Sequence, residues 1–342
     1  MKKIKLLFGI CLLTLSSVAQ DIHFSQFWMT PLLINPAQAG AEHDLRAIVN
    51  YKNQWGSVAA PYSTANLSVD MKLKKKKGAK GFSALGITIF NDNAGDDQMK
   101  TLQGNLAFAY HVYLTNKSTL GAGLYGGFAQ RSISYSNLQW MNQYDGTSYN
   151  AALPSGEPSA GSSFTHLDLG GGLHYDYNSG EKYITKNDHK SFSAGIALFH
   201  ANQPKYSFYG TGEKLNIKMV GYANALIGIR NTNVSVVPGV TYLQQGKATE
   251  LLVGSMLRYQ LKEESRYTGY VKGSSLSIGS YYRNKDAMVA TMQFEISQYT
   301  IGVSYDVNVS KLKTASNGRG GFEISLRFVN PNPFLYKNTS RS

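Results

Sequence analysis

The chain has 342 residues, 42% of them hydrophobic and only 16% charged, with 34 Gly, 23 Tyr and 15 Phe and a formal net charge of +13. Past the first twenty residues no stretch approaches the roughly eighteen apolar residues of a spanning helix, which excludes a helical inner-membrane protein. The basic balance would suit nucleic acid, but an N-terminal export signal removes that partner and leaves anionic envelope surfaces or acidic proteins.

Residues 1–19 read as a secretory signal peptide: Lys2, Lys3 and Lys5, then the apolar run Ile4 to Leu15, then the small residues Ser17-Val18-Ala19. Cleavage is expected between Ala19 and Gln20, and losing the three lysines lowers the net charge from +13 to +10. The single cysteine, Cys11, leaves with the signal, so the mature chain has no thiol, disulfide or Cys metal ligand. Lipid attachment there is disfavoured, because Ile10 is bulky where a lipoprotein signal has a small residue.

Residues 20–44 form the next unit, dominated by H-F-S-Q-F-W-M-T-P-L-L-I-N-P-A-Q-A-G, His23 to Gly40. Pro31 and Pro36 each remove a backbone donor, which breaks the run before it can form a membrane helix. Asn35 ahead of Pro36 has cap-then-first-turn chemistry and Gly40 is placed to end the turn, so N-P-A-Q-A-G is predicted to be a short capped helix. Phe24, Phe27 and Trp28, with Leu32 to Ile34, add an apolar surface flanked by Ser25, Gln26 and Ala37. The segment is expected to pack at or inside the periplasmic mouth of the barrel that follows, as a plug or a partner-docking element; a plain tether is the alternative.

Residues 45–329 carry the alternation of a membrane strand, apolar toward lipid and polar or small toward the lumen. The pattern recurs in Leu102 to Leu114, Leu120 to Phe128, Leu167 to Tyr177, Phe192 to Leu198, Leu276 to Tyr282, Met288 to Ile296 and Phe322 to Phe328. It is cleanest in Tyr299 to Val309, where Tyr299, Ile301, Val303, Tyr305, Val307 and Val309 alternate with Thr300, Gly302, Ser304, Asp306 and Asn308. A soluble sandwich would put charge on its second face, whereas here that face is mainly Gly, Ser, Asn and Gln, as a wet lumen or a crowded interior favours. The fold class is therefore an all-β, antiparallel outer-membrane β-barrel of about 14 strands, an even number that returns both ends to the periplasm.

Threading the strands puts the turns 115–118, 231–233 and 297–298 in the periplasm and the long loop 131–163 outside. The longer links 178–190 and 260–275 also fall in the periplasm, against the usual length rule. The basic turn carrying Lys72, Lys74, Lys75, Lys76, Lys77 and Lys80 lies on the periplasmic side too, as a solvated hairpin tip or as a patch for an acidic partner. Residues 330–342 form a C-terminal tail behind Phe328, the terminal aromatic strand residue.

Catalytic and cofactor chemistry finds no seat. There is no G-x-S-x-G and no phosphate-loop spacing of glycines, and no cofactor is expected. His166, Asp168, His174 and Asp176 share one strand face, a conceivable metal cluster, but lumen polarity explains the same residues.

Two ends of the chain resemble one known family. H-F-S-Q-F-W-x-x-P-L-L-I-N-P-A-x-A-G with L-R-A-I-V-N-Y-K-N-Q-W (Leu45 to Trp55), then G-S-Y-Y-R (Gly279 to Arg283), I-G-V-S-Y-D-V-N-V-S (Ile301 to Ser310) and G-G-F-E-I-S-L (Gly320 to Leu326) are similar to PorP/SprF proteins of the type IX secretion system. The late motif residues are Tyr282, Arg283, Tyr305, Asp306, Ser310 and Glu323; Phe322 stands where the family commonly has His. The resemblance implies a non-enzymatic outer-membrane component of Bacteroidetes-type bacteria, needed to export or anchor cargo with C-terminal sorting domains, in some members a gliding adhesin. Its implied partners are the type IX machinery, the cargo and a peptidoglycan-binding periplasmic lipoprotein, with outer-membrane lipid around it. A passive porin or small-solute channel is the alternative.

Overall fold

The computed structural model describes residues 21–54, 61–73, 79–95, 99–134, 139–156, 163–179, 187, 189–210, 212–262, 273–310 and 313–330. The signal peptide with Ala19 and Gln20, the residues Trp55 and Lys74 to Lys77, and the tail from residue 331 onward lie outside them.

Among the described residues fourteen strands form one sheet. They are β1 (Leu45–Gln54), β2 (Tyr62–Lys72), β3 (Gly81–Ala94), β4 (Met99–Thr115), β5 (Ser118–Ser132), β6 (Ser163–Asn178), β7 (Lys190–Phe199), β8 (Lys218–Gly228), β9 (Val234–Gln245), β10 (Ala248–Lys262), β11 (Ser274–Arg283), β12 (Ala287–Ile296), β13 (Tyr299–Asn308) and β14 (Arg319–Asn330). Each pairs antiparallel with its chain neighbours, and β1 closes on β14 in continuous register from Leu45↔Asn330 to Gln54↔Gly321. Closure leaves no edge, which a sheet in hydrocarbon requires because an unpaired N–H or C=O has no water there.

Alternation decides which face meets lipid. On β13, Tyr299, Ile301, Tyr305 and Val307 are exposed while Thr300, Gly302, Ser304, Asp306 and Asn308 are buried. On β12, Met288, Ala290, Met292, Phe294 and Ile296 point out and Val289, Thr291 and Gln293 point in. Leu124 is 70% exposed and Ile196 63%, positions that only a hydrocarbon surround makes favourable over so continuous a belt. Tyr51, Tyr110, Tyr259, Tyr282 and Tyr299 stand on the same outer surface.

The barrel has two distinct ends. At the terminal end β1 begins and β14 finishes, and β4–β5 and β12–β13 join through 116–117 and 297–298. The opposite end carries the longest link, 133–162, with a 3-10 turn at Met141–Gln143.

The interior is divided as well. Toward the opposite end it is a packed apolar core: Tyr125, Phe199, Val220, Tyr222, Leu252, Met256, Tyr281 and Val289 from the strands enclose Phe27 and Ile34. Toward the terminal end it opens into a cavity of about 1000 Å³. The Gly/Ser/Asn/Gln lumen read from sequence suits a wet second half; the first half is the crowded alternative, where inward aromatics pack beside buried charged and amide groups.

Candidate functional site

The apolar core is completed by the N-terminal segment, which runs through the lumen. Its first described residue, Asp21, lies at the opposite end: its N–H donates to Gln245 Oε1 (2.9 Å), and its carboxylate meets His200 Nε2 (2.5 Å) and Lys218 Nζ (3.4 Å). Gln245 ends β9, Lys218 begins β8 and His200 follows β7. The segment then crosses to the terminal end, where Gly40 N–H donates to Asp70 Oδ2 (2.8 Å) and β1 begins five residues on. The sequence predicts packing at or inside one mouth of the barrel; the segment lies inside the lumen and runs on to the far rim. Twenty residues of mixed extended and helical chain span a barrel wall of ten-residue strands, so a segment ending at β1 has the length to start at the far rim.

Three charged anchors hold it. At the opposite end His200 sits between two carboxylates, with Nδ1 2.9 Å from Asp168 Oδ1, and Gln103 Nε2 donates to the other Asp168 oxygen (3.0 Å). Burial disfavours the imidazolium, but Asp21 and Asp168 outweigh it and push the His200 pKa up to about 9. Burial likewise opposes the Asp21 carboxylate, and Lys218 and His200 overcome that and hold it well below the usual range.

The middle anchor joins the two ends of the sequence. Glu323, 1% exposed, accepts the N–H groups of Ser25 (2.7 Å) and Gln26 (3.0 Å) and pairs with Lys52 (3.2 Å). Ser25 Oγ lies 2.8 and 2.9 Å from the two oxygens of Asp306 and receives a hydrogen bond from Arg283. Arg283 also reaches Asp306 (2.9 Å) and Asp286 (3.1 Å). Lys52 Nζ donates to His23 O (2.8 Å). Burial and the cations Lys52 and Arg283 lower the His23 pKa well below its ordinary value, and its Nε2 lies 3.4 Å from Glu250 Oε2. The third anchor is at the terminal end, where Arg46 Nε donates to Asp70 (2.9 Å) and Nη2 to Gln38 O (3.2 Å). Beside it burial opposes the charge of both Glu42 and His43. Arg46 nonetheless lowers the Glu42 pKa, while burial and Arg46 together bring His43 down to about 3.

Between the anchors packing does the work. Phe24, Phe27, Met29, Leu32 and Ile34 are all buried, each worth about 1.5–3 kcal/mol relative to exposure. Trp28 stacks on Tyr281 with ring centroids 4.9 Å apart and donates to Gln293 Oε1 (3.1 Å). Pro31 opens a single helical turn, Pro31–Ile34, and Pro36 a 3-10 turn, Pro36–Gln38. Asn35 caps the latter, its Oδ1 accepting Ala37 N–H (2.8 Å), while its Nδ2 donates to the strand carbonyls of Leu173 (2.8 Å) and Ile196 (3.2 Å). Gly40 takes a φ of +61°, the left-handed conformation that ends the turn.

The wall is cut to fit. A Cβ on Gly123 would lie 2.5 Å from Ala37 N, one on Gly195 2.7 Å from Asn35 Nδ2, and one on Gly172 would collide with Asn35 Oδ1. Lumen-facing glycines here are the seat of the Asn35–Ala37 turn.

The remaining candidates separate from this site. Tyr282 and Tyr305 face outward, and Ser310 donates its N–H to Asp286 O (3.1 Å) in the β13–β14 link. Lys72 pairs with Asp44 (3.0 Å) and lies over the Phe82 ring, and Lys80 is exposed, its carbonyl accepting Tyr113 N–H (2.9 Å). The histidines and aspartates of β6 do share the lumen face but disperse. Asp168 is held by His200 and Gln103, His174 by Tyr222 Oη (2.7 Å), and Asp176 borders the cavity. Among the described residues no group of His, Cys, Asp and Glu is arranged to hold a metal.

Comparison with known proteins gives one family and a set of distant folds. The family model described as type IX secretion system membrane protein PorP/SprF matches residues 16–328. No curated protein matches the chain. Among solved structures it is similar to BamA from Haemophilus ducreyi lacking POTRA domains 1–3, at 8% identity over 84% of this chain and 71% of that one, with a TM-score of 0.41. CdiB from Acinetobacter baumannii matches at 7% identity over 84% and 60%, TM-score 0.40, and a deletion mutant of the TodX monoaromatic hydrocarbon channel at 10% over 87% and 93%, TM-score 0.46.

Proposed function

The chain belongs to the PorP/SprF family of type IX secretion system membrane proteins, and we propose that it serves as a plugged, non-enzymatic barrel needed to export cargo with C-terminal sorting domains or anchor it at the cell surface. It is an outer-membrane protein, with a closed fourteen-strand barrel and a lipid-facing apolar belt. Family membership associates it with the type IX machinery. In this reading the terminal end, where the chain ends and two-residue turns gather, faces the periplasm, and the 133–162 link faces outward.

The observation that carries the proposal is the lumen. A solute channel needs a continuous wet path, but here the segment Asp21 to Gly40 is bonded to the wall from rim to rim and half the bore is an apolar core. Specificity then rests on protein contacts: with a cargo or gliding adhesin outside, and with a peptidoglycan-binding lipoprotein beneath. Planar-bilayer recording tests the plug, since a large stable conductance from the isolated protein would return the porin reading. Deleting residues 24–36 should abolish cargo export while leaving a heat-modifiable barrel, and unchanged export would sink the role given to the segment. Affinity purification from outer membranes separates the partner roles: an adhesin with a C-terminal sorting domain marks a dedicated barrel, a peptidoglycan-binding lipoprotein alone a core component.

A further inference from the structure

The cavity at the terminal end is lined by strands β6 to β12 and β14 on one side and by the segment itself on the other, through Trp28, Gln38, Glu42 and His43. Its floor, where it meets the apolar core, is formed by Trp28, Tyr281, Met256 and Val237. Its walls are rich in hydrogen-bonding groups, some of them bonded to one another, as Gln293 and Arg258 are to Glu295. Ser193, Ser235 and Ser277 are only 8%, 4% and 2% exposed, yet their side chains border the cavity and have no hydrogen-bond partner among the described residues; Asn224 beside them has none either. From Met256 at the floor to Gln260 near the rim is four residues of β10, about 14 Å at strand rise.

Such a space has a definite chemistry. A polypeptide carries one donor and one acceptor at every residue, all of which need partners once buried. Hydroxyl and amide side chains donate and accept from the same group, so these walls match a backbone of either polarity. A sugar would use the same walls, but the aliphatic Met256 and Val237 beside the rings offer apolar contact that suits an apolar side chain more than a hydroxyl-bearing ring. The charges differ on the two flanks: Glu295 is matched by Arg258 (2.8 Å) and Arg327 (3.7 Å), whereas Asp176 has no ion-pair partner among the described residues.

We propose that this vestibule receives an extended polypeptide segment of a periplasmic protein, its apolar side chain on the Trp28–Met256 floor and a basic residue beside Asp176. The inference rests on the reading that the terminal end faces the periplasm. Occupancy would press directly on the plug, since Gln38 to His43 form one wall.

The test places p-benzoylphenylalanine at Leu226, whose side chain lines the cavity, in the full-length protein in its own outer membrane. Irradiation should join it to one contiguous segment of a periplasmic protein, mapped by mass spectrometry, while the same probe at the lipid-facing Ile227 should not. Filling the space with Asn224→Trp should remove the adduct and leave the barrel heat-modifiable. Adducts to glycan or lipid alone, adducts scattered over many proteins, or none would overturn the proposal. Asn233→Cys, in the exposed β8–β9 turn, checks the orientation separately. Labelling by an impermeant maleimide in intact cells would show that the periplasmic reading had failed, and protection with no Leu226 adduct that the vestibule proposal alone had.

Discussion

Glu323→Gln is the sharpest perturbation of the plug. The carboxylate is 1% exposed and its oxygens serve two backbone N–H donors of the segment, at 2.7 and 3.0 Å, and the Lys52 ammonium at 3.2 Å. The amide keeps the shape but sets an NH₂ against a ring of donors and leaves Lys52, 3% exposed, without its counter-charge. Breaking a buried pair from one side costs about 3–5 kcal/mol. At tenfold per ~1.4 kcal/mol, the docking equilibrium of the segment should fall by roughly a hundred- to several-thousand-fold. The assay is hydrogen exchange of a peptide spanning Phe24 to Thr30 in the detergent-solubilised protein, where the Ser25 and Gln26 amides report their own bonds. Their protection should collapse while that of β3 to β6 holds. Adding Lys52→Met should restore part of it, because the orphaned charge goes with the lysine. Unchanged protection in the single variant, or further loss in the double, would refute the pair as the anchor.

The outer latch should depend on pH. The His200 pKa is about 9 in the folded protein against an ordinary 6.5, a difference of about 3 kcal/mol. That stabilisation is fully present below about pH 6.5 and is lost as pH rises through 9, with Asp21 and Asp168 the groups bonded to the ring and Lys218 beside Asp21. The heat-modifiability temperature should drop across that range in the native protein and stay flat in His200→Gln. Gly123→Ala puts a methyl 2.5 Å from Ala37 N and should cost the plug about 1–3 kcal/mol, seen as protease sensitivity within residues 31–40 while the barrel remains intact. Tyr209→Cys, exposed in the β7–β8 link at the end where the segment starts, should be labelled in intact cells by an impermeant maleimide; labelling only after permeabilisation would contradict the outward reading of that end.

The exterior of this protein is legible because lipid enforces a period of two on every strand, and Tyr299 to Val309 or Met288 to Ile296 carry it without interruption. The interior is legible only in pieces. His23 to Gly40 and the late motif announce themselves separately, but nothing local tells Ser25 that its partners are Asp306 and Glu323, since barrel closure alone brings β13 and β14 beside it. By residue type alone Tyr125, Tyr222 and Tyr281 suit the membrane interface as well as a core, and their inward direction depends on strand register. Lys52, Arg46 and Asp70 carry a signal of their own in the sequence: charges on lumen positions of otherwise apolar strands demand a buried partner.

The plug and the closure of the barrel are one structural problem. β1 and β14 are the two ends of the sheet, and the segment lies across their seam. Lys52 of β1 meets Glu323 of β14 at 3.2 Å, and Glu323 at the same time holds Ser25 and Gln26. Asn50 of β1 repeats the arrangement, its Nδ2 donating to Ser325 Oγ of β14 (2.8 Å) and to Met29 O of the segment (3.1 Å). Each of these side chains bonds across the seam and to the segment together. Backbone pairing from Leu45↔Asn330 to Gln54↔Gly321 closes the wall in either case, but two buried charges toward its opposite end, Lys52 and Glu323, are fully satisfied only with the segment in place. A barrel that closed first would bury Lys52 and Glu323 around a vacant line of donors and acceptors, and would then have to admit twenty residues past its own rim. Docking the segment against β1 as the chain turns at Gly40, before β14 arrives, avoids both costs, so the plug is best understood as the last side chain layer of the seam and not as an insert added to a finished pore.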